Sequence, residues 1–215
     1  MKSYFVKTPK LLKLIFKQWF WSFSINEKVI YLTFDDGPTP EITEWTLNQL
    51  EKYNAKATFF CIGKNVNKHP DIYQRIIEQN HHIGNHTNNH FNGWKNSTSD
   101  YLNNFKEAEN SFSKNIPFSK NRSRLFRPPY GKLSLTQAKK IRKSGFKIIM
   151  WDVLSADFDT TISKEQCLNN VIKNSGNGSI VVFHDSNKAA EKLKYVLPKV
   201  LEYYSAKEFK FEKII

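Results

Sequence analysis

The sequence predicts an α/β fold in which parallel strands, each followed by a helix, close into a barrel. From residue 29 onward, short apolar runs alternate with longer amphipathic ones, the pattern of a mainly parallel sheet covered by helices. The polar residues able to do chemistry fall at or just beyond the C-terminal ends of those apolar runs. In a closed barrel those ends converge on one cleft, whereas an open doubly wound sheet less readily gathers groups from five strands. The length of 215 residues, 40% of them hydrophobic, suits one substantial core, and no Pro/Gly/Ser-rich linker or repeat divides the chain.

Residues 29–34, VIYLTF, read as a buried strand, and a helix follows over residues 40–53, with Thr39 as N-cap and Pro40 at the first helical position. Residues 57–62 form the next strand and 65–79 the next helix. A short strand at 82–84 leads to His86, and helix-like residues run over 99–113. The alternation continues with a strand at 125–126, a helix over 135–144, a strand over 146–151 and a helix over 164–174. A strand at 179–183, a helix over 189–204 and a strand near 209–211 complete seven strand candidates.

Residues 1–28 precede this alternation and read as a basic, amphipathic extension packed on a catalytic domain of residues 29–215. Within it, KLLKLIFKQWFWSF at residues 10–23 is interrupted by Lys13 and Lys17. It lacks the unbroken apolar length of a membrane span, and no small-residue cleavage site follows. The two readings are a cover for the bottom of the core and a contact with a membrane surface. With no clear leader or span, the expected location is the cytoplasm or the cell envelope. Cys61 and Cys167 have no metal-finger or redox spacing, and Cys61 sits in an apolar run as a buried, unpaired thiol.

The net charge of +13 raises the question of nucleic acid. The densest basic run is Lys120, Arg122 and Arg124, with Arg127 shortly after, and no zinc-finger, helix-turn-helix or RNA-binding aromatic motif accompanies it. Solubility, or attraction to an anionic surface such as an acidic cell-wall polymer, accounts for the charge. Neither a nucleic-acid partner nor an obligate protein partner is expected.

The chemistry resides in five segments. Thr33-Phe34-Asp35-Asp36-Gly37-Pro38 ends the first strand, and Gly37 and Pro38 turn the backbone there. Adjacent buried carboxylates need a cation or several donors. One is read as a metal ligand and the other as a proton acceptor, without the residues deciding which. His86 and His90 have the i,i+4 spacing that sets two imidazoles on one helix face. With a carboxylate they can bind a divalent ion and leave positions open. His81 and His82, before a strand, are weaker ligand candidates.

Arg127-Pro128-Pro129-Tyr130-Gly131 is a rigid turn that carries a guanidinium fork for a carboxylate. A backbone N–H near Tyr130 can meet an oxyanion, since proline offers no such donor. His184, after the sixth strand, is placed to protonate a departing amine if a carboxylate orients it. Asp157 leads as that partner, with Asp159 and Asp185 as alternatives.

Together these ordered segments, with the 151–158 stretch and the 182–185 stretch, resemble the polysaccharide deacetylase family, the NodB-homology domains of carbohydrate esterase family four. The resemblance runs from about Val29 to the C-terminus. It implies a distorted seven-stranded barrel and one divalent ion, zinc first, with cobalt or another transition metal as alternatives. It implies Asp35 as catalytic base, Asp36, His86 and His90 as metal ligands, and Arg127 as partner of the base. Tyr130 contributes its main-chain N–H, with Pro129 beside it, and His184 is the acid tuned by Asp157. The implied reaction is hydrolytic N-deacetylation of N-acetylhexosamine units in a glycan, peptidoglycan or chitin-like. The alternatives are O-acetyl ester cleavage on xylan-like glycans and an inactive glycan-binding homologue. The chain departs from the family pattern at Leu154, Phe158 and Val182, where the family usually has Asp, Trp and Leu. Phe158 and Val182 are expected to line the pocket for the acetyl methyl.

Overall fold

A computed structural model describes residues 4–115 and 124–215. The basic run at Lys120 and Arg122 lies outside the described residues. Seven strands follow one another across a curled sheet in the spatial order β5-β4-β3-β2-β1-β7-β6, and every adjacent pair is parallel. They are β1 (Val29–Asp35), β2 (Ala57–Cys61), β3 (His82–Asn85), β4 (Leu125–Phe126), β5 (Lys147–Ile148), β6 (Val153–Leu154) and β7 (Ile180–His184). A short β8 (Lys210–Phe211) lies off this path and pairs with the start of β1. The architecture is the distorted parallel (β/α) barrel that the alternation predicts.

Membership of the seven differs from the sequence reading. The apolar run 146–151 is not one strand: β5 stops at Ile148, and the chain turns through Asp152 into β6. Asp152 is buried and holds that turn, accepting from Lys7 at 2.6 Å, Lys13 at 2.5 Å and Ser179 at 2.7 Å. The strand at 210–211 is the off-path one, so β6 takes its expected place in the barrel.

Pleat alternation sorts the strands into two faces. Ile30, Leu32 and Phe34 of β1 join Ala57, Phe59 and Cys61 of β2 and Val181 and Phe183 of β7 in one core beneath the helices. There the Phe34 ring stacks on Phe59 at 5.0 Å and on Phe183 at 5.9 Å. The opposite face carries Tyr31, Phe60, Leu125, Ile149 and Ile180 into the barrel interior. Burial on both faces is why these strands read as continuous apolar runs. Since Thr33 and Asp35 share the register of Tyr31, the interior face of β1 ends in a carboxylate at the barrel mouth.

The helices are α1 (Lys10–Ile15), α2 (Ile42–Lys52), α3 (Gly63–Lys68), α4 (Pro70–Glu78), α5 (Thr98–Asn115), α6 (Leu135–Lys143), α7 (Lys164–Ile172) and α8 (Ala190–Ser205). Two departures have local causes. The α2 helix starts two residues after Pro40: Glu41 is the N-cap and forms a capping box with Glu44, while the Thr39 carbonyl accepts from Thr43 N–H. The expected 65–79 helix is two helices, because His69 precedes Pro70 and cannot stay helical against the proline ring.

Residues 5–23 close the seam that the sheet leaves between its two edge strands. Thr8 N–H donates to the Asp152 carbonyl and Leu154 N–H to Val6, along β6. Phe20 exchanges hydrogen bonds with Ile148 and Met150 beyond β5. Trp19 and Trp21 are buried against Ile148, Met150 and Ile141. Backbone groups that an open edge would expose are thereby paired. Among the described residues, no helix is long and apolar enough to cross a membrane.

Candidate active site

Arg127 organises the site. It is the largest fully buried side chain described, and four of its N–H directions are committed. Its Nη1 donates to Asp35 Oδ1 at 2.7 Å and to Thr33 Oγ1 at 2.7 Å, Nη2 to the Met150 carbonyl at 2.9 Å, and Nε to the Ile149 carbonyl at 3.2 Å. The guanidinium also lies 4.1 Å above the Phe60 ring centroid. Burial pulls its pKa down and the Asp35 carboxylate pushes back. Asp35 is thus held at one oxygen by a rigid donor at the end of β1, which leaves Oδ2 outside that bond.

Asp36 follows with φ of +83°, a left-handed conformation that Asp tolerates better than most residues. The turn behind it is tight. Gly37 N–H donates to Asp185 Oδ1 at 3.1 Å, and a Cβ on Gly37 would lie 2.0 Å from Asp185 Oδ2. That conformation aims Asp36 Oδ1 at two imidazoles, 3.7 Å from His86 Nε2 and 3.3 Å from His90 Nε2.

The two histidines reach that point from a loop, contrary to the helix expected from their spacing. They follow β3, and both Thr87 and His90 have positive φ, 62° and 56°. Asn104 of α5 accepts from the N–H groups of Asn88 and Asn89 at 3.0 Å each, and Thr87 Oγ1 accepts from Phe91 N–H at 3.0 Å. The N-terminus of α3 donates to the loop through Gly63 and Lys64. His86 Nδ1 lies 2.8 Å from the Arg127 carbonyl, which can only accept, so Nδ1 carries the proton and Nε2 its lone pair. Burial, with His90 adding to it, holds the His86 pKa well below the usual range, and burial lowers that of His90 as well.

A neutral Nε2 therefore faces a carboxylate oxygen that is buried and has no hydrogen-bond partner. The His86 lone pair and this oxygen face each other with no proton between them, and His90 Nε2 lies beside both. One ligand atom from each of Asp36, His86 and His90 lies within 4.8 Å of the others, so the set fits a divalent cation. The His86–Arg127 bond orients the ring as outer partners of metal-binding histidines do.

Across the cleft, His184 ends β7. Its Nδ1–H donates to Asp157 Oδ1 at 2.8 Å and its backbone N–H donates to Asp157 Oδ2 at 2.8 Å. Burial disfavours the imidazolium, yet the Asp157 carboxylate, with Asp36 and Asp35 adding to it, outweighs burial and raises the pKa to about 9. The other two carboxylates weighed for this role lie elsewhere. Asp159 accepts from the Tyr4 hydroxyl, and Asp185, with its pKa raised to about 8 chiefly by burial, is bound by Gly37 and Thr43. Asp157 follows β6, which lies beyond the 146–151 run read as one strand.

The Pro129–Gly131 turn places Tyr130 at φ of +61°. Gly131 and Lys132 donate back to the Pro128 and Pro129 carbonyls, which leaves Tyr130 N–H as the donor not committed to them. The Tyr130 hydroxyl lies 3.1 Å from His90 Nδ1. Asp36 and His90 open onto a cleft of about 400 Å³ that Thr39, Asn65, His69 and Asn187 also line. Phe158 and Val182, like Asp35, Tyr130 and His184, are not among the residues that line this part of the site. The Phe158 ring stands edge-on to His184 at 5.0 Å and to Tyr4 at 5.5 Å, and Val182 is buried two residues before His184 on the same strand face. Leu154 is buried in β6, paired with Val182.

Comparison with known proteins places this arrangement. A family model described as polysaccharide deacetylase matches residues 24–149. The chain is 32% identical over 192 residues to a peptidoglycan-N-acetylglucosamine deacetylase of Bacillus cereus, covering 89% of this chain and 88% of that one. This chain belongs to the polysaccharide deacetylase family.

Solved structures agree on the fold. The Bc1960 peptidoglycan N-acetylglucosamine deacetylase superposes with a TM-score of 0.87 at 31% identity, over 96% of this chain and 95% of that one. The Xyl-CE4 domain of a multidomain xylanase from the hindgut metagenome of Trinervitermes trinervoides gives 0.79 at 29% identity, over 88% of both chains. Sequence reasoning overlooked Thr33, Asn104 and Tyr4. Thr33 had a signal, since a polar residue two before Asp35 in a buried strand must face the same way.

Proposed function

We propose that this chain is a metal-dependent N-deacetylase that hydrolyses the acetamido group of N-acetylhexosamine units in a peptidoglycan-like glycan and releases acetate. The observation that carries it is the unpartnered Asp36 Oδ1 facing two neutral imidazoles, flanked by an arginine-held Asp35 and an aspartate-held His184. The similarity to the Bacillus cereus deacetylase supports the substrate class.

A divalent ion, zinc first, held by Asp36, His86 and His90 would supply Lewis acidity for the acetyl carbonyl and a water acidified toward neutral pH. Asp35 takes the proton of the attacking water through Oδ2, because Arg127 occupies Oδ1 and keeps the carboxylate in place. The Tyr130 N–H donates to the oxyanion of the tetrahedral intermediate. His184, protonated below about pH 9 and held at Nδ1 by Asp157, donates its Nε2 proton to the departing nitrogen as the C–N bond breaks. Acetate and a free amino sugar result, with no acyl-enzyme. Phe158, Val182 and Pro129 are assigned to the surroundings of the acetyl methyl.

The second reading, cleavage of an O-acetyl ester, is favoured by the likeness to a xylanase domain. Acetate release from chitooligosaccharide, peptidoglycan fragments and acetylated xylan, each with metal-loaded and chelated enzyme, separates the two. Release confined to acetylated xylan overturns the N-deacetylase assignment.

A further inference from the structure

The N-terminal segment carries an apolar surface that the proposed chemistry does not use. Of the ten large hydrophobic side chains exposed among the described residues, six lie between Phe5 and Ile25, so this exposure is concentrated rather than scattered. Its densest part is α1. The inner face of α1 is committed: Leu12 and Phe16 pack against the cluster of Trp19, Trp21 and Ile148, and Phe16 stacks on Trp19 at 4.6 Å. Lys13 is tied to Asp152. The outer face presents Leu11, Leu14 and Ile15, exposed by 68%, 70% and 63%. A helix apolar on both faces, with only one of them packed, lacks a partner on the other.

Charge says which partner. Exposed Lys10 opens α1 and exposed Lys17 follows its end. Arg142 Nη1 donates to Gln18 Oε1, which brings the basic end of α6 alongside, and Lys139 and Lys143 share the Arg142 face at helical spacing.

We propose that the outer face of α1, with the basic end of α6 beside it, docks this protein onto an anionic phospholipid surface. An acidic sugar polymer or a nucleic acid would satisfy the lysines but not Leu11, Leu14 and Ile15. A second copy would cover the apolar face but bring two basic surfaces together. An anionic bilayer surface meets both requirements, because the apolar side chains enter the acyl boundary while the cations stay among the headgroups.

The test is co-sedimentation of the full-length protein with phosphatidylcholine vesicles made with and without phosphatidylglycerol. The expected result is binding on the order of tenfold tighter with phosphatidylglycerol, weakening as salt is raised. The triple substitution Leu11→Gln, Leu14→Gln, Ile15→Gln loses most of that binding while the thermal melt is unchanged, because these side chains touch solvent. The triple substitution Lys139→Gln, Arg142→Gln, Lys143→Gln abolishes the preference for phosphatidylglycerol. Equal partitioning to both vesicles, or binding untouched by the α1 substitutions, overturns the proposal. So does light scattering that shows a dimer which the α1 substitutions disperse, since that would make the face an interface between copies.

Discussion

The backbone carbonyl of Arg127 accepts the Nδ1 proton of His86 at 2.8 Å. The same residue's guanidinium grips Asp35 at 2.7 Å, so one buried arginine sets both the tautomer of a metal-ligand candidate and the position of the proposed base. The two halves of the site are therefore coupled through β4 and its following turn.

Arg127→Lys tests that coupling on the side-chain half alone, because the backbone carbonyl remains. A lysine cannot reproduce four directed bonds in a fixed fork. The expected result is a fall of about a hundredfold or more in kcat for acetate release, with metal content retained. Removing the charge altogether with Arg127→Met leaves Asp35 buried and unpaired, and unfolding measurements should show a loss of about 3–5 kcal/mol. Wild-type turnover by Arg127→Lys would show that the fork does not position the base.

His184 gives the alkaline limit. Its pKa is raised in the fold to about 9 against an ordinary value near 6.5. The protonated pair with Asp157 therefore stabilises the fold fully below about pH 6.5, and that contribution is lost as pH rises through about 9. Turnover should fall over the same upper limb, because the acid loses its proton. In Asp157→Asn the imidazolium loses its counter-charge, so the alkaline limb of kcat moves to lower pH and the stability change between pH 6.5 and 9 flattens. A pH–rate profile identical to wild type would remove His184 from the role of acid.

Metal binding should appear as stability. An ion that binds only the folded chain adds about 2.7 kcal/mol when present at 100 times its Kd. Zinc or cobalt should raise the melting temperature of the wild type, and a chelator should reverse the rise. His86→Ala should abolish it. Asp36→Asn tolerates the same positive φ and breaks no hydrogen bond at Oδ1, so it should melt like the chelated wild type yet gain nothing from zinc. A normal zinc-induced rise in Asp36→Asn would place the ion elsewhere.

The seam closed by the N-terminal segment rests on Asp152, whose pKa is lowered: burial raises it, but the bonds from Lys13, Lys7 and Ser179 together outweigh burial. That contribution is present above the unfolded carboxylate value near pH 3.9 and is lost as pH falls through the folded one. Asp152→Asn should cost about 1–2 kcal/mol at neutral pH, discounted because Lys7 is half exposed. Urea unfolding of the pair of proteins measures it, and no difference would mean that the two lysines contribute only at the surface.

Much of this was legible in the chain because the candidate catalytic groups sit where strand patterns end. The apolar runs at 29–34, 57–62 and 179–183 identified three adjacent strands, and position at the strand ends put Asp35 and His184 at the same mouth. What was not legible depended on contacts distant in sequence. The spacing of His86 and His90 suggested a helix, but Asn104 and the start of α3 hold them in a loop. The run 146–151 read as one strand because nothing local reveals that Asp152 is pinned by Lys7 and Lys13. The break at Pro70 was visible in principle, since the residue before a proline avoids the helical region.

The account turns on a division of labour between adjacent carboxylates, with Asp35 moving the proton and Asp36 holding the ion. The most direct measurement is metal content by atomic spectrometry alongside acetate release for Asp35→Asn and Asp36→Asn. The account predicts that Asp35→Asn keeps one equivalent of metal and loses nearly all turnover, whereas Asp36→Asn loses both. Normal acetate release by Asp35→Asn, or full metal content in Asp36→Asn, would contradict it.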